Sequence, residues 1–252
     1  LKEQEMGIKG LFTFLKRWER PVDTKEAIKN KSVGLDIFWF IHQSKGNIAE
    51  LQASVAVFLQ YARTVHAVLD GYHATEERRE VLEERRDKRH RTITVIEEIM
   101  EAPIMEVRDQ KILERHLQQL KRQIWKPSRA YIEQIKCWLI NQGVFIHEPK
   151  GEADPTLIKL EQNQIIDLII TNDSDLIALG GETILRMNGP DHGVMYSKFH
   201  LRQQLGCTIQ QWDDFMYLCR HMKEPDMILA YSLIRVYREH ALERWDMLQK
   251  AD

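Results

Sequence analysis

The stretch Ile165-Ile166-Asp167-Leu168-Ile169-Ile170-Thr171-Asn172-Asp173-Ser174-Asp175 decides the fold. A short apolar run without regular polar alternation fits a strand over 166–171 that helices cover on both faces, and this one runs out into two aspartates. The same grammar recurs upstream. Ser32-Val33-Gly34-Leu35-Asp36 and His66-Ala67-Val68-Leu69-Asp70 each read as a buried strand closed by an acid. Around them, apolar periodicity predicts helices over 11–18, 49–64, 128–142 and 154–162, a strand over 144–147, and a hairpin of strands over 183–187 and 193–196. From 209 onward the pattern is all helical. Strands alternating with helices predict an α/β fold with a mostly parallel central sheet and right-handed crossovers.

Between the second strand and the helix at 128 lies a different kind of sequence. Residues 74–126 are helical in pattern and densely charged, with only Pro103 to interrupt them. Because this block sits between two strands of one sheet, it is expected to be an excursion from a single domain spanning 1–252. The regions are then 6–73, the insertion 74–126, the returning α/β region 127–226, and a helical tail 227–252. The chain has 36 Lys plus Arg against 38 Asp plus Glu, so bulk charge points to no polyanion, and any such partner must meet locally concentrated basic residues. Three widely spaced cysteines, Cys137, Cys207 and Cys219, form no C-x-x-C pair and argue against a disulfide framework or a zinc site. No apolar run approaches a membrane span and the first residues do not read as a signal peptide, so the expectation is an intracellular protein without a membrane partner.

The acids carry the chemistry. Asp36 and Asp70 end strands, Asp173 and Asp175 follow a third, and Glu152 and Asp154 lie in a Gly151-containing turn after the strand at 144–147. Ligand sites in open α/β sheets lie outside the carboxyl ends of the strands, so six carboxylates are expected along one edge. In an extended segment residues two apart point the same way, which would let Asp173 and Asp175 share a target. One aspartate after a strand is ordinarily a turn former or helix cap, but six at four strand ends are hard to explain as caps. Packed like charges need a counter-charge or must protonate. An oxygen-only donor set suits Mg²⁺ or Mn²⁺, and two such ions suit phosphodiester hydrolysis. There is no phosphate-binding glycine loop, no dinucleotide fingerprint and no serine nucleophile elbow. His42, His66 and His147 lie close to strands and read as structural groups.

Taken together, these residues resemble the flap-endonuclease/XPG superfamily of structure-specific 5′ nucleases, over about residues 6–220. Met6-Gly7-Ile8-Lys9-Gly10-Leu11-Phe12 is similar to the family's N-terminal signature, which passes close to the active site. Val33-Gly34-Leu35-Asp36 and Val68-Leu69-Asp70-Gly71 resemble its first two metal-binding acids. Pro149-Lys150-Gly151-Glu152-Ala153-Asp154 resembles the internal signature with two acids separated by alanine. Thr171-Asn172-Asp173-Ser174-Asp175 matches the paired aspartates that follow. The resemblance implies a PIN-like core in which Asp36, Asp70, Glu152, Asp154, Asp173 and Asp175 hold two divalent ions. It also implies 5′-nuclease activity on DNA, with RNA left open, and a nuclear location in a eukaryote or a cytoplasmic one otherwise.

The resemblance further implies that the charged insertion arches over the active site and that a single strand threads it. The run Arg85-Arg86-Asp87-Lys88-Arg89-His90-Arg91 has five Lys or Arg against one Asp. Arg78 and Arg85 fall where the family places basic residues facing the scissile phosphate, and their spacing of seven puts them on one helix face. Gly7, Arg86, Lys88 and Arg89 are further candidates for contact with nucleic acid. Glu76, Glu77, Glu80, Glu83 and Glu84 alternate with the arginines, so a solvated, salt-bridged helix is the plain reading beside this one.

Two departures stand out. The family has a seventh acid in a Gly-[Ser/Cys]-Asp-Tyr motif after a Leu-Cys helix, whereas here Leu218-Cys219-Arg220-His221-Met222-Lys223-Glu224-Pro225-Asp226 leaves Asp226 displaced by one position. Residues 227–252 contain no glycine, although the family's duplex-binding turns need glycines where backbone amides meet phosphate. The tail is apolar enough, with Ile228, Leu229, Leu233, Ile234, Val236, Tyr237 and Trp245, to pack on the core or on a partner protein. The rival to a nuclease is therefore an inactive or weak pseudonuclease serving as a scaffold or nucleic-acid-binding subunit.

Overall fold

A computed structural model describes residues 7–71, 76–101, 107–189, 191–222 and 226–249. Among the described residues, seven strands form one mixed sheet in the order β1-β7-β6-β5-β2-β3-β4. These are β1 (Arg20–Asp23), β2 (Ser32–Asp36), β3 (Thr64–Val68), β4 (Phe145–His147), β5 (Leu168–Ile170), β6 (Thr183–Met187) and β7 (His192–Ser197). From β6 through β5, β2, β3 and β4 every pairing is parallel, as the helix–strand alternation predicts. The β6–β7 hairpin is antiparallel and β1 adds to its outer edge. Sequence reading missed β1, because this exposed strand contains Pro21 and offers no apolar run. Proline is tolerated there because the strand is at the sheet edge.

The helices are α1 (Leu11–Leu15), α2 (Thr24–Ile28), α3 (Ile37–Ser44), α4 (Ile48–Tyr61), α5 (Glu76–Glu101), α6 (Val107–Ile124), α7 (Arg129–Asn141), α8 (Ala153–Gln162), α9 (Asp175–Ala178), α10 (Lys198–Leu205), α11 (Ile209–His221), α12 (Met227–Tyr237) and α13 (Ala241–Gln249). They cover both faces of the sheet. In β5, Ile169 packs with Leu11, Leu157, Trp212 and Phe215 on one side, while Leu168 and Ile170 pack with Phe40, Phe58, Ile135 and Leu139 on the other. That double burial is why the strand reads as an unbroken apolar run.

The charged insertion is a pair of helices, α5 and α6, packed against each other. Pro103, between them, lies outside the described residues. The tail packs on the core as one of its two expectations had it: Met227, Ala230, Leu233, Ile234 and Ala241 are buried beside α11. Ile228, Val236 and Met247 remain largely exposed. Among the described residues, no helix is long and apolar enough to cross a membrane.

Candidate active site at the acidic sheet edge

The chain runs outward from β2 to β3 to β4 and then returns to the opposite side of β2 as β5. A reversal of this kind opens a crevice at the carboxyl ends of the two strands flanking the switch. The six predicted acids all lie at the ends of β2, β3, β4 and β5 or at the helix starts that follow them.

Asp36 ends β2 and caps α3, its Oδ1 accepting the Trp39 N–H at 3.3 Å. Its Oδ2 accepts the Thr171 hydroxyl at 3.0 Å. Only 7% of Asp36 is exposed, and burial, with Asp173 and Asp70 adding like charge, pushes its carboxyl up to about 7 despite the Thr171 hydrogen bond. Asp70 follows β3 and its Oδ1 accepts the Ala153 N–H at 2.9 Å. It thereby caps α8 from another strand, since the residue preceding that helix, Glu152, makes no side-chain cap of its own. The next residue, Gly71, donates its N–H to the Gly151 carbonyl at 2.6 Å. A Cβ at Gly71 would overlap the carbonyls of Pro149 and Lys150, so only glycine lets the two turns close against each other.

Asp154 lies in the first turn of α8 and is pushed up to about 8. Burial is the main cause, followed by the charges of Asp36, Asp173, Asp175 and Asp70. Asp175 opens α9 and is pushed up to about 6 by burial and by Asp173, with Arg220 pulling the other way. Each of these six carboxylates is thus coupled by charge to another of the set.

One detail differs from the expectation of an extended segment. Asp173 Oδ1 accepts the Asp175 N–H at 2.9 Å, and the chain turns directly into α9. The two aspartates are neighbours through this turn rather than through strand alternation, because an aspartate readily bonds its own backbone two residues on. Thr171, to which sequence reading assigned no role, joins the set together: its hydroxyl donates to Asp36 and accepts the Asp173 N–H at 3.0 Å. A threonine between an apolar run and an acid was the available signal. Arg220 was missed as well, since its effect on Asp175 crosses 45 positions of chain and leaves no trace in local spacing.

Gly7 lies against the paired aspartates, its φ of +86° set by the turn entering α1. Arg78 and Arg85 are positions of α5, but their side chains lie outside the described residues. Arg86 and Lys88 are exposed and Arg89 half-buried on the same helix. Asp226 is engaged elsewhere: it caps α12, its Oδ1 accepting the N–H groups of Ile228 at 2.9 Å and Leu229 at 3.0 Å. His66 and His147 satisfy each other, Nδ1 to Nε2 at 3.0 Å, on adjacent strands.

As the side chains stand, no three His, Cys, Asp or Glu among the described residues are arranged to hold an ion. The donor chemistry nevertheless fits a hard divalent cation: the predicted set is oxygen-only, and Asp36, Asp154 and Asp175 are raised by burial together with the charge of other acids in the set.

Residues 143–221 match the XPG I-region family model. Exonuclease 1 of Xenopus laevis is 28% identical over 231 residues, which is 85% of this chain and 30% of that protein. Exodeoxyribonuclease 1 of Schizosaccharomyces pombe is 27% identical over 207 residues, 73% of this chain and 33% of that protein. The chain thus spans about a third of the length of the curated relatives it matches. Among solved structures, the catalytic core of Rad2 in complex with a DNA substrate aligns with a TM-score of 0.67 at 17% identity, covering 95% of this chain and 72% of that one. Flap endonuclease-1 from Methanococcus jannaschii aligns at 0.60 and 15% identity, covering 94% and 79%. Residues 143–221 thus match an XPG I-region, the chain is similar in sequence to exonuclease 1 proteins over most of its length, and it shares the fold of the Rad2 and flap endonuclease-1 structures.

Proposed function

We propose that this chain is a divalent-metal-dependent 5′ nuclease that hydrolyses phosphodiester bonds in DNA. The observation that carries the reading is the gathering of six mutually coupled carboxylates at a topological switch point within a chain that has an XPG I-region. Asp36, Asp70, Glu152, Asp154, Asp173 and Asp175 would hold Mg²⁺ or Mn²⁺, two ions in the expected arrangement. When bound, such ions acidify a water and neutralise charge on the phosphate. The protein's own part is positional. Thr171 fixes Asp36 and the Asp173 backbone together, Asp70 holds α8 and with it Asp154, and Gly7 lets the N-terminal turn lie flat against Asp173. Arg78 and Arg85 would steady the scissile phosphate from α5, with Arg86, Lys88 and Arg89 adding phosphate contacts along the helix. The domain is taken as 1–252, acting inside the cell and in the nucleus of a eukaryote. The exposed apolar residues of α12 and α13 are offered to a protein partner.

A pseudonuclease is the second reading, and one observation favours it: Asp226, nearest in sequence to the family's seventh acid, is taken up in capping α12. Incubating the chain with labelled 5′-flap, blunt-duplex and single-stranded DNA, and single-stranded RNA, in Mg²⁺ or Mn²⁺, separates the two. Metal-dependent cleavage with 5′-phosphate products supports the nuclease. Absence of cleavage on every substrate, with no thermal shift in Mn²⁺, supports the scaffold.

A further inference from the structure

Helix α11 buries Trp212, Phe215, Met216, Leu218 and Cys219 and turns a different set of side chains outward. In its last two turns Tyr217 is 48% exposed, and its ring stacks on that of His221 with centroids 4.0 Å apart and planes 21° from parallel. His221 Nδ1–H donates to the Tyr217 carbonyl at 2.8 Å, which fixes the imidazole in that stack. Arg220 lies beside them and is exposed. The helix packs against α9, whose first residue is Asp175, so its C-terminal end stands at the acidic edge. Arg220 is close enough to act as a counter-charge to Asp175.

Two aromatic rings already stacked, exposed and next to a guanidinium are an unusual surface for the outward side of a helix. Solvated helix faces are normally covered by charged and polar side chains. The combination suits a nucleic-acid strand, because bases of any sequence stack on aromatic rings and a guanidinium pairs with phosphate. Nearby carboxylates would repel a polyanion, and Arg220 offsets that at the point of closest approach.

We propose that Tyr217, Arg220 and His221 form a nucleic-acid contact beside the acidic edge, the rings receiving a base and the guanidinium a phosphate of the bound strand. The inference rests on the nuclease reading of that edge and adds to it a contact outside the arch and the carboxylates.

The test is binding of a fluorescein-labelled single-stranded DNA oligonucleotide to the full chain with Mn²⁺, in an Asp173→Asn background that holds cleavage off. Wild-type chain is given the same oligonucleotide with Mg²⁺ and scored for cleavage. Arg220→Ala and Tyr217→Ala should each weaken binding roughly tenfold, and Tyr217→Phe, which keeps the ring, should stay within about twofold. Arg220→Ala should also reduce the slope of log K against log salt by about 0.7, one single-strand phosphate contact. Circular dichroism should be unchanged in both, and Mn²⁺ affinity should be unchanged in Tyr217→Ala, since that side chain is outside the core and the carboxylate set. If wild type cleaves while both alanine variants bind as well as their parent, or if Tyr217→Ala loses Mn²⁺ affinity in parallel, this inference falls alone. If wild type neither cleaves nor binds the oligonucleotide, the nuclease reading falls and takes the inference with it.

Discussion

Gly7 and Asp173 pack so closely that a Cβ on the glycine would overlap the Oδ1 of the aspartate. The contact is reinforced next door, where the Ser174 hydroxyl donates to the Ile8 carbonyl at 3.3 Å. The N-terminal turn is therefore a wall of the acidic site rather than a loose end. Gly7→Ala should strain a backbone at φ +86°, at a cost of about 1–2 kcal/mol, and displace Asp173. Misplacement on the order of 1 Å near reacting groups costs roughly 10²-fold in rate. A melting curve should drop by a few degrees while turnover falls by about that factor, and full activity in Gly7→Ala would remove Asp173 from the site.

The acidic edge should make stability depend on pH in a definite direction. Asp36, Asp154 and Asp175 are raised to about 7, 8 and 6 in the folded chain, above the ordinary carboxylate range. The folded state then binds more protons than the unfolded one at intermediate pH. This stabilising contribution is complete below about pH 4 and is lost as pH rises through 6 to 8. Metal-free chain in EDTA should melt at a lower temperature at pH 8.5 than at pH 5.5, and Mg²⁺ should raise the melting temperature more at the higher pH. Equal melting temperatures at the two values, with or without Mg²⁺, would mean that neither burial nor neighbouring charge raises these carboxylates in the folded chain.

Arg78 and Arg85 are assigned to phosphate rather than to metal. Changing both to alanine should slow cleavage by roughly 10²-fold, the scale of a lost electrostatic contact to a reacting group. Mn²⁺ affinity by calorimetry should stay at the wild-type value. Loss of both together would indicate a damaged core.

Most of the sheet was readable because double burial leaves its parallel strands as unbroken apolar runs. Val33 and Leu35 pack on one face with Leu168 and Ile170, and Ile169 packs on the other. β1 escaped notice because a short edge strand holding Pro21 buries little. α3 escaped for the opposite reason: Ile37-Phe38-Trp39-Phe40-Ile41 is apolar nearly throughout, so no helical period shows, and Asp36 must be read as a cap as well as an acid. The acids themselves were found by position at strand ends. What tied them together was not, because Thr171 to Asp36, Asp70 to Ala153 and Arg220 to Asp175 each join segments dozens of residues apart. Such pairings follow from strand order, and strand order here depends on the return of the chain from β4 to β5 across β2.

In the proposed nuclease the coupled carboxylates hold catalytic metal. Asp173 is the residue to change, since it lies between Gly7, Thr171 and Asp175 and contributes like charge to Asp36, Asp154 and Asp175. Single-turnover cleavage of a 5′-flap substrate in Mg²⁺, wild type against Asp173→Asn, measures its role directly. The expected result is a loss of at least roughly 10³-fold with the fold intact and the metal-free chain no less stable, because a ligand and a repelling charge leave together. Cleavage by Asp173→Asn at the wild-type rate would contradict it.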